Sequence, residues 1–133
     1  MFNLLEIDSD IAIWLVLDEK EYELSQFRIG FGQSADYKGQ PQNEVRGGRM
    51  LLSLPQTLPD NIYRWAMTSS KKDGKIVLKS KIANAPLRIE FKNGYCINFE
   101  RSINIKAGIN TELLISPEEI VINGFDFHNH WIK

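Results

Sequence analysis

Cysteine, charge of one sign and long apolar runs are all scarce in this chain. Its single cysteine, Cys96, excludes an internal disulfide and suits a protein folded in a reducing compartment. A formal net charge of −1 gives no overall field that would attract nucleic acid or an anionic membrane surface. The apolar N-terminal residues are interrupted by Glu6, Asp8 and Asp10, and no basic segment precedes them. The sequence therefore predicts neither a cleavable signal peptide nor a membrane-spanning segment.

Catalytic and metal-binding patterns are lacking as well. His128 and His130 lie two residues apart but have no third ligand close in sequence, so a docked C-terminal tail is the expected role of this segment. Cys96 lies in an apolar strand pattern, which is typical of a buried structural thiol. Glu118 and Glu119 are adjacent and would face opposite sides of a strand. We predict no enzymatic activity, no metal and no cofactor.

One basic stretch departs from the even charge distribution. Its lysines are Lys71, Lys72, Lys75, Lys79 and Lys81. The stretch lacks the interleaved exposed aromatics of a platform for single-stranded nucleic acid, so we interpret it as a solvated hairpin.

The overall composition is that of one soluble globular domain spanning residues 1–133. Apolar residues make up 43% and charged residues 25% of the chain, which excludes a disordered protein. At 133 residues, the chain can bury about two-thirds of the surface that it exposes when unfolded. The near-neutral charge also offers little self-repulsion and so permits self-assembly.

Short alternating apolar segments separated by turns dominate the chain. Strands are predicted at residues 2–7, 11–17, 21–29, 45–54, 76–78, 87–91, 95–99, 113–115 and 120–122. Turns are predicted at residues 18–20 and 106–108, a tight hairpin at Asp73-Gly74, and a turn or bulge at Asn93-Gly94. This pattern predicts an antiparallel β-barrel or β-sandwich of short strands.

A single helix is predicted between residues 59 and 68. Leu58, Ile62, Trp65 and Ala66 follow helical spacing and would form one apolar face, with Trp65 as a core anchor.

The most informative stretch is a long loop followed by a strand with two glycines. About a dozen polar residues after Phe31 exceed the usual hairpin length, and long ordered loops often bind something. Gly47 and Gly48 weaken a strand, so they indicate a bulge or the close approach of another backbone.

Several motifs, in order, resemble the Bacteroidetes branch of the Hcp (TssD) family, the tube protein of type VI secretion. They extend from about residue 13 to the C-terminus. The motifs are Gly39-Gln40-Pro41, Val45-Arg46-Gly47-Gly48, the Trp65 helix leading to residues 71–76, Tyr95-Cys96, residues 116–120, and Asn129-His130-Trp131.

The resemblance implies a function in assembly. Six subunits would close into a ring, and rings would stack into a tube inside a contractile sheath, with a spike at the tip and small effectors in the lumen. The tube would assemble in the cytoplasm and leave without a signal peptide. Two departures from the family pattern are a candidate N-terminal extension, residues 1–11, and Gln40, where relatives carry a basic residue.

The long loop is the candidate subunit interface, as an arm that reaches the next subunit or ring. The residues assigned to it are Gln33, Asp36, Tyr37, Gly39, Gln40, Pro41, Val45, Arg46, Gly47 and Gly48. The two glycines would let the base of the arm lie against a neighbouring backbone. On this interpretation, replacing Gly48 by a β-branched residue disturbs the ring more than the fold of the subunit.

Two alternatives remain open from the sequence. One is a monomeric or dimeric β-barrel that encloses a small apolar ligand. The other is an Hcp-like effector carrier or adaptor that does not form the bulk of the tube.

Overall fold

Strands make up most of the chain, as predicted, and one helix interrupts them. The computed structural model describes residues 11–32, 37–40, 46–80 and 87–129, and the predicted strand at residues 2–7 lies outside them. The elements are β1 (Ile11–Leu17), β2 (Lys20–Leu24), β3 (Gln26–Gly32), β4 (Arg46–Leu54), α1 (Asp60–Met67), β5 (Lys71–Ser80), β6 (Arg88–Asn104), β7 (Gly108–Ser116), β8 (Glu119–Ile122) and β9 (Phe125–His128).

The strands form one curled antiparallel sheet. Its main order is β2-β1-β5-β6-β7-β4-β3. β8 continues the line of β7 along the first half of β6, and β9 pairs with β8. The curl turns one face inward, where side chains from most strands form a single apolar core. This architecture confirms the predicted mainly antiparallel β fold.

The predicted long strand over residues 21–29 was wrong, because the chain turns a corner at Ser25. β2 pairs with β1, whereas β3 pairs with β4. The Ser25 amide and hydroxyl both donate to the Ser53 carbonyl oxygen, at 2.8 and 3.1 Å. Leu24 and Phe27 both face inward although they are three residues apart, so the strand alternation shifts by one at this corner.

The predicted tight hairpin at Asp73-Gly74 was also wrong. Both residues lie inside β5, where Asp73 faces a bulge that places Lys92 and Asn93 of β6 opposite one residue. Asn93 has φ 53°, and its amide donates to the Asp73 carboxylate at 2.9 Å. A Cβ on Gly74 would lie 2.5 Å from the Phe91 ring, so this glycine provides close packing rather than a turn. The bulge predicted as one option at residues 93–94 is confirmed.

The predicted helix and its core role are confirmed. α1 buries Ile62 and Trp65, and Trp65 is 1% exposed. The Trp65 indole nitrogen donates to the Gly94 carbonyl oxygen at 2.9 Å, so the buried polar atom is paired at the β6 bulge. The helix therefore fixes the irregular part of β6 against the core.

Candidate subunit interface

The two roots of the long loop lie side by side at one end of the β3–β4 pair. Gly32 pairs with Arg46 and Phe31 with Gly47, whereas Gly30 pairs with Arg49, which leaves Gly48 as the extra residue of a bulge. The bulge predicted from the two glycines is therefore present. It sets the direction of the backbone where β4 begins.

The structure describes part of the predicted interface. Gln33, Asp36, Pro41 and Val45 lie outside the described residues. Tyr37, Gly39 and Gln40 are all exposed, and Tyr37 reaches 93% exposure. Arg46, Gly47 and Gly48 belong to β4. The loop root thus combines an ordered strand end with a freely accessible aromatic side chain.

The close backbone approach predicted for Gly47 occurs within the chain. Gly47 has φ 143°, and an added Cβ would lie 2.5 Å from the Gly30 carbonyl oxygen and 2.6 Å from the Phe31 Cα. These are backbone atoms of β3 that cannot move aside independently. Gly47 is therefore required by the fold of the subunit itself.

Gly48 also has an internal reason to be glycine. Its φ is 74°, and an added Cβ would overlap Cδ1 of Ile120, a core side chain that is 1% exposed. The expectation that a β-branched residue at Gly48 affects the ring more than the fold is therefore revised, because such a residue is strained before any neighbour is present.

The C-terminal hairpin β8–β9 holds this loop root. The Asn129 side-chain nitrogen donates to the carbonyl oxygens of Gly47 and Pro117, at 2.9 and 3.0 Å. Phe127 packs edge-on against Phe31, with ring centroids 4.9 Å apart. The predicted docking of the C-terminal segment is confirmed up to Asn129, since His130 lies outside the described residues.

Exposed isoleucines at the β6–β7 turn form a second surface that sequence reasoning missed. Ile103 is 72% exposed, and Ile105 is fully exposed. The Asn104 side-chain oxygen accepts from the amides of Lys106 and Ala107, at 2.8 and 3.0 Å, and so fixes the turn. Exposed apolar side chains on a rigid turn are typical of protein–protein contacts. The only signal in the sequence was two isoleucines beside a predicted turn.

Reactive chemistry has little support among the described residues. No group of three His, Cys, Asp or Glu residues in that part of the chain could hold a metal ion. His128 Nδ1 lies 3.3 Å from Glu119 Oε1 in a surface ion pair. The predicted burial of Cys96 is confirmed, and this desolvation raises the pKa of its thiol to about 11 against a weaker lowering by the Asn98 carbonyl.

The raised pKa makes a testable prediction about Cys96. At pH 8, alkylation by iodoacetamide should be about 100-fold slower in the folded protein than in the urea-denatured chain, because the thiolate fraction falls tenfold per pKa unit. The folded rate should rise continuously between pH 8 and 10. Comparable rates for the folded and denatured chains at pH 8 would show an accessible, ionised thiol and contradict this environment.

Two further sequence expectations concern ligands and membranes. Depressions formed by described residues are open surface grooves, one of them lined by Arg28, Gly30, Arg49 and Leu51, rather than the enclosed cavity that a small-ligand barrel requires. Across the described ranges, no helix has the length and apolar character needed to cross a bilayer.

Comparisons with known proteins agree with this architecture. The family model of Hemolysin coregulated protein Hcp (TssD) matches residues 9–132, whereas no curated protein sequence matches. Hcp1 from Flavobacterium johnsoniae superposes with a TM-score of 0.78 at 23% identity, covering 89% of this chain and 99% of that one.

More distant structures share the fold. Hcp1 from Salmonella typhimurium gives a TM-score of 0.66 at 13% identity, with 89% of this chain and 91% of that chain covered. A chain of the six-fold symmetrised anti-feeding prophage baseplate gives 0.51 at 6% identity, with 86% and 92% covered. At these identities the structural likeness establishes the fold alone. The family model spans nearly the whole sequence, and on that basis this protein belongs to the Hcp (TssD) family of type VI secretion tube proteins.

Proposed function

We propose that this chain is the structural subunit of a type VI inner tube, which forms six-membered rings that stack and are expelled with small effectors in the lumen. The match of the Hcp family model over residues 9–132 carries this proposal. The likeness to a chain of a six-fold symmetrised baseplate supports the six-membered ring. The sheath and the spike are the proposed structural partners.

A ring requires two different surfaces on each subunit. In a heterologous contact, one patch meets a different patch on the neighbour, and the rotation closes after a fixed number of copies. β2 and β3 are the outermost strands of the main sheet, and each has one strand neighbour among the described residues. Their free backbone groups and the exposed Ile103 and Ile105 offer the non-identical surfaces that such a contact needs.

The loop remains our proposed contact with the neighbouring subunit or ring. Its assigned residues are Gln33, Asp36, Tyr37, Gly39, Gln40, Pro41, Val45, Arg46, Gly47 and Gly48. Tyr37 is the best anchor among them, because tyrosine buries a large area and is enriched in interface hot spots. A stable ring contact should bury well above ~1,000 Å².

Replacing Tyr37 tests the loop contact. Since this side chain is 93% exposed, Tyr37→Asp should leave subunit stability within about 0.5 kcal/mol of the wild type. Assembly should weaken by about tenfold or more in dilution experiments followed by light scattering. Phe125→Asp is the matched control, because Phe125 is an aromatic with 79% exposure outside the predicted interface. Equal assembly by the wild type and Tyr37→Asp would remove the loop from the contact.

Export tests the proposed cellular role. The full chain should appear in culture supernatant from cells with a working contractile sheath and should be missing from that of cells without one. Cell lysis is controlled by assaying a cytoplasmic enzyme in the same supernatants. Equal export in both strains would contradict release as a type VI tube.

A further inference from the structure

Asn129 connects two distant parts of the chain with one side chain. Its nitrogen donates to the carbonyl oxygens of Gly47 and Pro117, at 2.9 and 3.0 Å, and its oxygen accepts from the Gly47 amide at 3.5 Å. The backbone amide of Asn129 donates to the Glu118 carbonyl oxygen at 2.8 Å. Both N–H groups and the oxygen of the side-chain amide are therefore used.

The position of Gly47 explains why such a partner is needed. On one side, β4 pairs with β3 through residues 46–53. On the other side, β7 pairs only with Met50–Leu54 of β4 and does not reach Gly47. The Asn129 amide supplies a donor and an acceptor there, as a neighbouring strand would. It thereby satisfies backbone groups that would otherwise leave the end of β4 free to separate.

The same hairpin contacts the other root of the loop. Phe127 of β9 packs against Phe31, which directly precedes the last residue of β3. Ile120 of β8 fills the space left by the missing side chain of Gly48. Three contacts from β8–β9 and the following Asn129 thus converge on both ends of the 33–45 segment.

We propose that Asn129 is a positioning residue, which fixes the direction in which the 33–45 segment leaves the sheet and thereby sets its contact with the neighbouring subunit. The second half of this statement rests on the proposed ring function, whereas the first half is a property of the subunit alone. The energetic basis is the side-chain amide, since a residue without its donor leaves the Gly47 and Pro117 carbonyls unpaired.

Two variants of the full chain test the proposal. Asn129→Asp keeps the shape of the side chain but places carboxylate oxygen against two carbonyl oxygens. Asn129→Ala removes the bonds without repulsion and serves if the aspartate variant does not fold. Asn104→Ala is the matched control, because it also removes side-chain bonds to two backbone groups, at the β6–β7 turn.

Trypsin cleavage and hydrogen exchange measure the clamp directly. Cleavage after Arg46 should accelerate about tenfold or more in both Asn129 variants, while cleavage after the exposed Lys38 provides an internal reference and stays unchanged. Amide exchange should accelerate over residues 46–48 and remain unchanged in the core strand β7. Asn104→Ala should leave cleavage after Arg46 and exchange over residues 46–48 at their wild-type values.

Ring dissociation then tests the functional half. The Asn129 variants should dissociate at protein concentrations about tenfold higher than the wild type. Unchanged exchange over residues 46–48, or exchange that accelerates equally throughout the chain, overturns the clamp. Faster local exchange with wild-type ring stability overturns the positioning role but leaves the proposed function intact. A wild-type chain that never forms rings overturns the proposed function and the positioning role together.

Discussion

Gly47→Ala should lose about 3 kcal/mol or more of unfolding free energy. The alanine Cβ would lie 2.5 Å from the Gly30 carbonyl oxygen and 2.6 Å from the Phe31 Cα, and the φ of 143° is itself unfavourable for any residue with a side chain. Relief would require β3 and β4 to separate at the root of the loop. Urea denaturation followed by circular dichroism measures the loss.

Gly30→Ala is the control for this prediction, because it places the same methyl group on the partner strand. A Cβ there would meet nothing within 4 Å, and Gly30 has no positive φ. Its stability should equal that of the wild type or rise slightly, since alanine restricts the unfolded chain. Similar losses for the two variants would show that the close approach at Gly47 is not what requires glycine.

Trp65→Ala should cost about 4 kcal/mol. The indole is 1% exposed in the core, and its nitrogen is the donor to the Gly94 carbonyl oxygen at the β6 bulge. The substitution combines a large cavity with an unpaired buried carbonyl. The melting temperature should fall by about 10 °C or more, measured at one fixed protein concentration because assembly would shift it.

Trp65→Phe separates the two causes, and Trp14→Ala controls for the residue type. Trp65→Phe retains much of the ring but removes the donor, and it should cost about 2 kcal/mol. Trp14 is half-buried on the outer sheet face beside Lys79, so its replacement should cost less than that of Trp65. A wild-type melting temperature for Trp65→Ala would contradict the assignment of this residue as the core anchor.

Elements with clear periodicity could be predicted from the sequence. The helix around Trp65 follows from its apolar spacing, and the antiparallel strands follow from alternation and turn residues. Neither signal depends on distant residues, because burial of one face of a helix or strand is repeated along the element itself. The general fold class was therefore accessible before the structure.

Positions determined by distant contacts could not be predicted. Asp73-Gly74 has the composition of a hairpin turn, yet Gly74 is glycine because the Phe91 ring occupies the space of its side chain. The corner at Ser25 depends on the Ser53 carbonyl, 28 residues away. Short-range turn signals do not contain this information, so tertiary packing overrides them.

The candidate interface was predictable only in part. The two glycines indicated a close approach, but the sequence could not show that the approaching backbone is β3 of the same chain. Nothing in the residues around Asn129 indicated that its side chain would replace a strand neighbour of Gly47, because the two residues lie 82 positions apart. The exposure of Ile105 likewise depends on the three-dimensional fold.

Solution mass measured by light scattering over a wide concentration range tests self-assembly most directly. The subunit has a mass of 15.3 kDa, so a six-membered ring predicts a particle of about 92 kDa that persists on dilution. Particles of larger mass at high concentration would correspond to stacked rings. A single species of 15.3 kDa at every concentration would contradict the central claim that this chain functions by associating with copies of itself.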